Sequence, residues 1–473
     1  MTSFVEANEI VTIICYHALE KRKKMKLERS KKNNLARNMV IVLLVVGIIS
    51  AIILTFTKAK YKTAESIPLV NGTINYELSD LNLIGVYIED GSSYTKTDQI
   101  PDSGYTLNEE ESYCKIGEEK QDITITYDMN TKNLTIRPLT TKGTKCYLYF
   151  DEQKILLAEA IKRDNQIKSG TPDFSQVATT NEGVYKTEDD WGESYYFRGA
   201  VGNNWVKFAG FYWRIIRING DGSIRLIYSG NEESGPAITG ESTQIGTSAF
   251  NNLYNDNAYV GYMYGKTGSS SYEETHANIN DSTIKQVLDN WYETNLKGYE
   301  EYINTEAGFC ADRTAYKDNT GTISSGGNGK TITYYGAYIK LYNGQNNSNA
   351  SPNIVCNQRD DLYTIINSNN GNKSLKYPIG LITADEVALA GGMVGENNKN
   401  YYLYTQQSYW TLSPYQFNNG SASVFSVNVS GWLFGNHATY WVNSNFGIRP
   451  VINIASDVTI KSGNGSSSTP YEI

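Results

Sequence analysis

The sequence predicts a β-rich α+β protein with a single N-terminal transmembrane helix, a small β-sandwich-like domain and a larger C-terminal domain. Three observations support this prediction. One uninterrupted apolar run lies near the N-terminus, short strand patterns fill most of the remainder, and few segments have a helical pattern. The chain has 473 residues, a length that allows two or three domains with cores of their own.

The apolar run Met39–Phe56 predicts the transmembrane helix, which we place at residues 39–57. The run carries no charged residue, and a helix of this length extends about 27 Å, enough to cross the hydrocarbon core of a bilayer. A signal peptide is the alternative, but its apolar core would be about 7–15 residues long and would end in a cleavage site of small residues. No such site follows Phe56, so we expect a retained anchor whose partner is the lipid bilayer.

The distribution of positive charge predicts the orientation of this helix. Residues 19–38 carry nine Lys and Arg, whereas residues 57–76 carry three. Positive residues remain on the cytoplasmic side of a membrane. We therefore expect a single-pass cell-membrane protein with a basic cytoplasmic segment at residues 1–38 and its bulk outside the cell. Met25, which precedes a basic run, is an alternative start of the chain.

The expected extracellular part is acidic. Residues 63–473 carry 30 Lys and Arg against 46 Asp and Glu, a net charge of −16. Such a surface repels polyanions, so nucleic acid is excluded as an expected partner. The simplest role of this charge is solubility.

Cysteine usage fits an oxidising compartment outside the cell. Cys15 lies in the cytoplasmic segment, and the other four cysteines allow three pairings. Pairing in order, Cys114 with Cys146 and Cys310 with Cys356, keeps each disulfide within one domain. The sequence has no Cys-x-x-Cys motif and only two histidines after the apolar run, so we expect no metal site and no cofactor.

Residues 67–150 predict the small β domain. Residues 123–127 alternate between apolar and polar, residues 128–133 break the pattern, and residues 134–136 resume it, which is typical of a hairpin. Cys146, Leu148 and Phe150 share one face of a final strand. We expect an immunoglobulin-like sandwich.

Residues 151–170 predict a helical linker. The segment Asp151–Ile167 begins with acidic residues and has Lys162 and Arg163 near its end, as the helix dipole favours. Its apolar face is narrow, which is typical of a spacer between domains.

Residues 171–473 predict the C-terminal domain. FYWRIIRI and SIRLIYS form a hairpin around the turn Asn219–Gly222; a calcium loop there would need further acidic ligands. Asp281–Leu296 predicts an amphipathic helix, and Thr383–Glu386 is a capping box that opens another. After Gly392 we expect strands only.

Four stretches of this domain resemble a known group of proteins: FYWRIIRINGDGSIRLIYSG, YPIGLITADEVALAGG, YWTLSP and FGIRPVINI. They resemble the ectodomains of membrane-anchored surface proteins of low-GC Gram-positive gut bacteria. The C-terminal part of those proteins is similar to the C-type-lectin-like fold, in the variety shared by formylglycine-generating enzymes and by the variable proteins of diversity-generating retroelements. The resemblance covers roughly residues 185–455 and implies a C-type-lectin-like domain. The fold hosts enzymes and binding proteins, so it does not fix the function.

This sequence lacks features that the enzymes with this fold would need. Formylglycine-generating enzymes use a cysteine pair in the C-terminal part of the fold, and here no cysteine follows Cys356. No His-Glu-x-x-His motif occurs. Asp385 and Glu386 are adjacent on a predicted helix and do not point the same way. We therefore expect no catalytic residues and no enzyme activity.

The binding branch fits better. The resemblance implies that ligands bind on the last strands and loops, as they do in the variable proteins. These strands and loops correspond here to residues 431–446. The candidate ligand-binding residues are Trp432, Phe434, Asn436, His437, Tyr440, Trp441, Asn443 and Asn445. Aromatic rings give contact area and asparagines give donors and acceptors, a combination that suits a glycan, a peptide or a protein surface.

Each candidate also has a structural interpretation. Trp432 and Trp441 can be core residues, and His437 a surface loop residue. Arg449 precedes a proline in an apolar run, and we expect it to be buried and paired with Asp385 or Glu386. The leading functional expectation is an adhesion or ligand-binding protein of the cell surface. The alternatives are a structural or assembly component of the cell envelope and, third, an enzyme related to the formylglycine-generating fold.

Overall fold

In a computed structural model, residues 65–68, 81–101, 104–128, 131–138, 143–316, 326–342, 350–434 and 441–473 are described. The described part is rich in strands, contains few helices and forms sandwich-like sheets. This confirms the β-rich α+β class. The chain divides into two compact units, Met1–Gln153 and Lys154–Ile473.

No helix within the described ranges is both long and apolar enough to cross a membrane. The predicted helix at 39–57 and the predicted cytoplasmic segment at 1–38 lie outside the described residues.

The described residues of the smaller unit form two sheets. A three-stranded sheet has the order Glu65–Pro68, Asn133–Arg137, Thr124–Asp128. The other strands form a six-stranded sheet: Leu81–Asp90, Ser93–Thr97, Tyr105–Leu107, Tyr113–Ile116, Glu119–Lys120 and Thr144–Glu152. Leu81–Asp90 runs parallel to Thr144–Glu152, and the latter is antiparallel to Tyr113–Ile116.

The predicted hairpin and last strand of this unit are both confirmed. Thr124–Asp128 pairs with Asn133–Arg137 in antiparallel register. Thr144–Glu152 buries Cys146, Leu148 and Phe150 on one face, because successive side chains of a strand point to opposite faces. Cys114 and Cys146 lie opposite each other in the sheet and form the predicted disulfide. The immunoglobulin-like topology stays a prediction.

Within the described residues, the larger unit has five short α-helices: Leu157–Asp164, Tyr272–Thr275, Thr283–Asn295, Gly336–Leu341 and Ala384–Leu389. The 3₁₀ turns of the described part are Glu241–Thr243, Asn257–Val260, Lys297–Tyr302 and Arg359–Asp361. The amphipathic helix predicted at Asp281–Leu296 is Thr283–Asn295, capped by the Ser282 hydroxyl, and it buries Ile284 and Leu288. The capping box of Thr383 and Glu386 is confirmed. No described residue after Gly392 is helical.

The first sheet of the larger unit has seven strands: Asn181–Asp189, Gly192–Gly199, Trp205–Phe208, Phe211–Ile218, Ile224–Asn231, Val451–Ile454 and Tyr471–Glu472. The predicted hairpin, Phe211–Ile218 with Ile224–Asn231, lies at its centre. In the turn between these strands, the Asp221 carboxylate accepts hydrogen bonds from the backbone and hydroxyl of Ser223 and from the Asn304 amide. The Asp221 carboxylate oxygens therefore stabilise the turn and its contact with Asn304.

The second sheet has six strands: Thr247–Ser248, Thr333–Tyr334, Tyr409–Asn418, Ser421–Val427, Leu433–Phe434 and Phe446–Gly447. Two-stranded ladders join Ile155–Leu156 to Thr459–Ile460, Met263–Tyr264 to Asn280–Asp281, and Phe309–Cys310 to Leu362–Tyr363. The predicted disulfide between Cys310 and Cys356 is present. This disulfide links Cys310, in the last of these ladders, to Cys356, in the loop that precedes the strand Leu362–Tyr363.

The segment predicted as a linker at 151–170 differs from that expectation. Its helix is shorter, Leu157–Asp164, and buries Leu157, Ala160 and Ile161 in the core of the larger unit. The preceding Ile155–Leu156 pairs with Thr459–Ile460. The narrow apolar face is therefore a packing face: three residues at i, i+3 and i+4 suffice to bury one side of two helical turns.

Candidate functional site

The segment at 431–446 is held at both ends by the second sheet. Leu433–Phe434 pairs with Ser421–Val427. Phe446–Gly447 pairs with Thr247–Ser248 and, through Gly447, with Tyr409. The Phe446 ring packs on Trp410 with a centroid distance of 4.5 Å. Residues 441–445, the described part between these strands, are therefore joined directly to a fixed scaffold.

Trp432 and Phe434 pack against each other. Their rings meet edge to face, with centroids 5.2 Å apart. Phe434 is 9% exposed and Trp432 is half-buried. Most of the Phe434 ring is thus unavailable to a ligand, in line with the structural interpretation of these aromatics.

Trp441 stacks on Tyr254, a residue of a different loop. The ring centroids are 4.9 Å apart, the interplanar angle is 24°, and both side chains are half-buried. Backbone hydrogen bonds hold the two loops together, directly where Asn251 donates to the Val442 carbonyl at 2.9 Å, and through the strand residue Ala422, which donates to the Tyr254 carbonyl at 2.7 Å and accepts from Val442 at 3.1 Å. This places one aromatic pair on a rigid frame.

Exposed asparagines belong to the same two loops. Asn443 and Asn445 follow Trp441, and Asn252 and Asn255 flank Tyr254; all four are exposed. We call Tyr254, Trp441, Asn443 and Asn445 the Trp441 surface. It offers half-buried aromatic area together with amide donors and acceptors.

The remaining candidates, Asn436, His437 and Tyr440, lie outside the described residues. Tyr254 is the partner that sequence reasoning missed. The run NNLYNDN around it has the same tyrosine and asparagine composition as the segment at 431–446, and this likeness was the available signal.

Arg449 is buried as predicted, but the predicted acid partner is wrong. The guanidinium donates to the carbonyl oxygens of Tyr228 and Leu403, at 3.0 to 3.4 Å, and lies 4.9 Å from the centroid of the Tyr409 ring. Backbone carbonyls and an aromatic face thus replace the carboxylate. Burial lowers the pKa of Arg449.

Glu386 pairs instead with two arginines of the central hairpin. Its Oε1 is 3.1 Å from Arg217 Nε and 2.5 Å from Arg225 Nε, and all three side chains are buried. Burial opposes the charged form, but the two arginines outweigh it and lower the pKa of Glu386. Arg217 has a second acid partner, Asp189, whereas Arg225 otherwise donates to the neutral oxygens of Gly308 and Asn453 and lies over the Phe309 ring.

Asp385 faces other groups than Glu386 does. It accepts from Lys340 Nζ at 2.9 Å and from the Asn353 backbone at 2.8 Å, and burial raises its pKa. Both carboxylates border one cavity of about 20 Å³. Such a cavity has room for roughly one water molecule. Both acids therefore have partners within the protein, and the cavity beside them has the size of a single water molecule.

Among the described residues, no group of three His, Cys, Asp or Glu side chains is placed to hold a metal ion. No family model matches this chain, and neither the curated proteins nor the solved structures include a significant match.

Proposed function

We propose that this chain is a membrane-anchored extracellular binding protein of the adhesion class. Met39–Phe56 anchors it in the cell membrane with the N-terminus in the cytoplasm. The C-terminal domain recognises a glycan, a peptide or a protein surface outside the cell. The observation that carries this proposal is the Trp441 surface, an aromatic pair bordered by exposed amides on two adjoining loops.

The chemistry of the Trp441 surface supports recognition. Rigid aromatic rings contribute contact area at low cost in conformational entropy, and asparagine amides adapt to donors and acceptors on a partner. Two loops joined by backbone hydrogen bonds are preorganised, which reduces the entropic cost of binding.

We further propose that the larger unit is a C-type-lectin-like domain. The proposal is supported by three of the motifs that carry the resemblance, which lie in the central hairpin, in the long strand Tyr409–Asn418 and in the strand Val451–Ile454, and by the pairing of that last strand with the hairpin. Long connections separate these strands, and one of them carries Tyr254.

Trp441→Ala and the double variant Asn443→Ala/Asn445→Ala test the proposed function. Cells that display the full chain are exposed to a glycan array and to a panel of microbial and host cells. We expect the wild type to bind at least one target and both variants to lose at least tenfold in affinity, since each removes a separate part of the surface.

The control is Asn290→Ala, which removes an exposed asparagine from the helix Thr283–Asn295. It should bind as the wild type does. If the wild type binds nothing, or if binding survives both surface variants, the Trp441 surface is not the recognition site. Binding only to further copies of the chain would favour an assembly role instead.

A further inference from the structure

A polar cleft of about 280 Å³ lies elsewhere in the larger unit. Parts of three stretches of chain, 272–278, 358–361 and 372–374, line it together with Arg313; the charged residues Glu274, Arg359 and Lys373 of these stretches do not. This volume approaches the lower end of the range of small-molecule sites, about 300 Å³. The cleft is thus of a size that suits one small ring, and it contains none of the residues of the Trp441 surface.

A buried ion pair, whose two charges cancel, forms the floor of the polar cleft. Arg313 is fully buried and holds Asp361 through Nε at 2.6 Å and Nη2 at 2.5 Å. Its remaining donors contact the Met263 carbonyl at 3.1 Å and the Asn278 amide oxygen at 2.9 Å. Arg313 therefore has no free charge for an anionic ligand.

The walls are fixed by convergent hydrogen bonds. The amides of Asn278 and Asn372 both donate to the carbonyl oxygen of Asp360, each at 2.8 Å. Asn278 has a φ of 54°, a left-handed conformation that asparagine tolerates better than most residues. The cleft is therefore preformed.

A buried histidine of the wall has an unused acceptor. His276 is 6% exposed, and its Nε2 lies 2.7 Å from the Gly327 carbonyl, so Nε2 carries the proton. Burial, together with Arg313, lowers the pKa of His276 well below its usual value, which leaves the ring neutral. Its Nδ1 has no hydrogen-bond partner.

Two carboxylates at the cleft remain uncompensated. Glu273 and Asp360 are both exposed, and within the described ranges neither forms an ion pair. The neighbouring Glu274, by contrast, pairs with Lys266 and does not line the cleft. Because Asp361 neutralises Arg313, the lining carries two net negative charges. Such a site attracts cations and repels anions.

We propose that the polar cleft binds a small hydroxylated ligand that carries a protonated amine, of the size of an amino sugar. The ammonium group is held by Glu273 and Asp360. The hydroxyl groups are bound by Gln358 and Ser374, which also line the cleft. The Gln358 amide accepts from Tyr272 and donates to Thr314, and the Ser374 hydroxyl donates to the Asn372 carbonyl, so a second amide proton and the hydroxyl lone pairs serve the ligand. This proposal does not depend on the function of the Trp441 surface, because the two sites share no residue.

Titration of the purified full chain in detergent tests the proposal, with glucosamine, glucose and glucose 6-phosphate as probes. Glucosamine should bind, glucose should bind at least tenfold more weakly, and glucose 6-phosphate should not bind. The double variant Glu273→Gln/Asp360→Asn should reduce the affinity for glucosamine to that for glucose. Glu274→Gln is the matched control and should leave the affinity unchanged.

A second variant, Ala277→Phe, fills the cleft from an exposed lining position and should abolish binding of both neutral and cationic sugars. Equal affinity for glucosamine and glucose, or no binding of either, would overturn the proposal. A third outcome would also overturn it: calcium ions bind to the wild type, Glu273→Gln/Asp360→Asn abolishes this binding, and glucosamine does not compete with calcium. The cleft would then be a cation site.

Discussion

Glu386 is the acid that joins two buried arginines of the central hairpin to the helix Ala384–Leu389. The adjacent Asp385 has a different set of partners, Lys340 and the Asn353 backbone. Neighbouring residues on a helix point about 100° apart, so the two carboxylates stabilise different contacts. Their different electrostatic environments give opposite pKa shifts.

Glu386→Gln should lower the free energy of unfolding of the larger unit by about 3–5 kcal/mol, since it leaves the buried Arg225 without an acid. Asp385→Asn should cost less, because Lys340 retains Asp312 at 3.6 Å and burial already disfavours the Asp385 carboxylate. Denaturant unfolding followed by tryptophan fluorescence measures both. Equal losses would contradict this assignment of partners.

The opposite pKa shifts of Glu386 and Asp385 predict how the stability of the larger unit depends on pH. A lowered pKa in the folded state means that Glu386 stabilises the fold above its unfolded pKa and that this stability is lost on acidification. The raised pKa of Asp385 acts in the opposite sense. Between about pH 6 and about pH 3 the wild type should lose more stability than Glu386→Gln does. A steeper loss in that variant would contradict the prediction.

At the scale of elements, the helix Leu157–Asp164 and the two disulfides show how short segments become fixed. The helix is only 8 residues long and has no side-chain cap at its N-terminus. An isolated helix of this length is not stable in water, so packing in the core of the larger unit must stabilise it.

Ile161→Ala should destabilise the larger unit by about 2–5 kcal/mol, as expected when a buried isoleucine is truncated. Glu159→Ala, which changes an exposed residue of the same helix, is the control and should have little effect. Tryptophan fluorescence monitors the larger unit. A neutral Ile161→Ala would show that the helix is a spacer after all.

Each disulfide should stabilise its own unit. All seven tryptophans lie in Lys154–Ile473, so fluorescence reports on the larger unit alone. Cys114→Ala/Cys146→Ala should lower the stability of the smaller unit by about 2–4 kcal/mol, seen as faster hydrogen exchange there, without moving the fluorescence midpoint.

Cys310→Ala/Cys356→Ala is the reciprocal control, and it should lower the fluorescence midpoint without faster hydrogen exchange in the smaller unit. A shift of the midpoint in the first variant would mean that the two units do not respond separately.

At the scale of the whole molecule, charge distribution and apolar patterning give an asymmetric chain. A basic segment and an apolar run precede an acidic remainder with a net charge of −16. The proposed topology places this remainder, and with it the Trp441 surface and the polar cleft, outside the cell.

Protease added to intact cells should therefore remove most of the chain and leave a short N-terminal fragment. An antibody against residues 1–38 and one against the larger unit distinguish the two products on an immunoblot. A cytoplasmic protein in the same cells is the control for lysis. Survival of the full-length chain in intact cells, with digestion in lysates, would contradict the proposed orientation.

The sequence by itself determined the features that depend on neighbours along the chain. Alternation predicted the hairpin at 124–137, the turn residues predicted the hairpin around Asn219–Gly222, and the spacing of Thr383 and Glu386 predicted a capping box. The disulfide pairing was also predictable, since each bridge closes a loop within one unit.

Only the tertiary structure decided which distant residues meet. It paired Glu386 with Arg217 and Arg225 rather than with Arg449, placed Tyr254 under Trp441, and packed the Leu157–Asp164 helix into a core. Contacts of this kind depend on the path of long loops and on the register of strands far apart in the chain. Local residue patterns carry no information on either, because periodicity identifies which face of a segment is buried but not the segment that covers it.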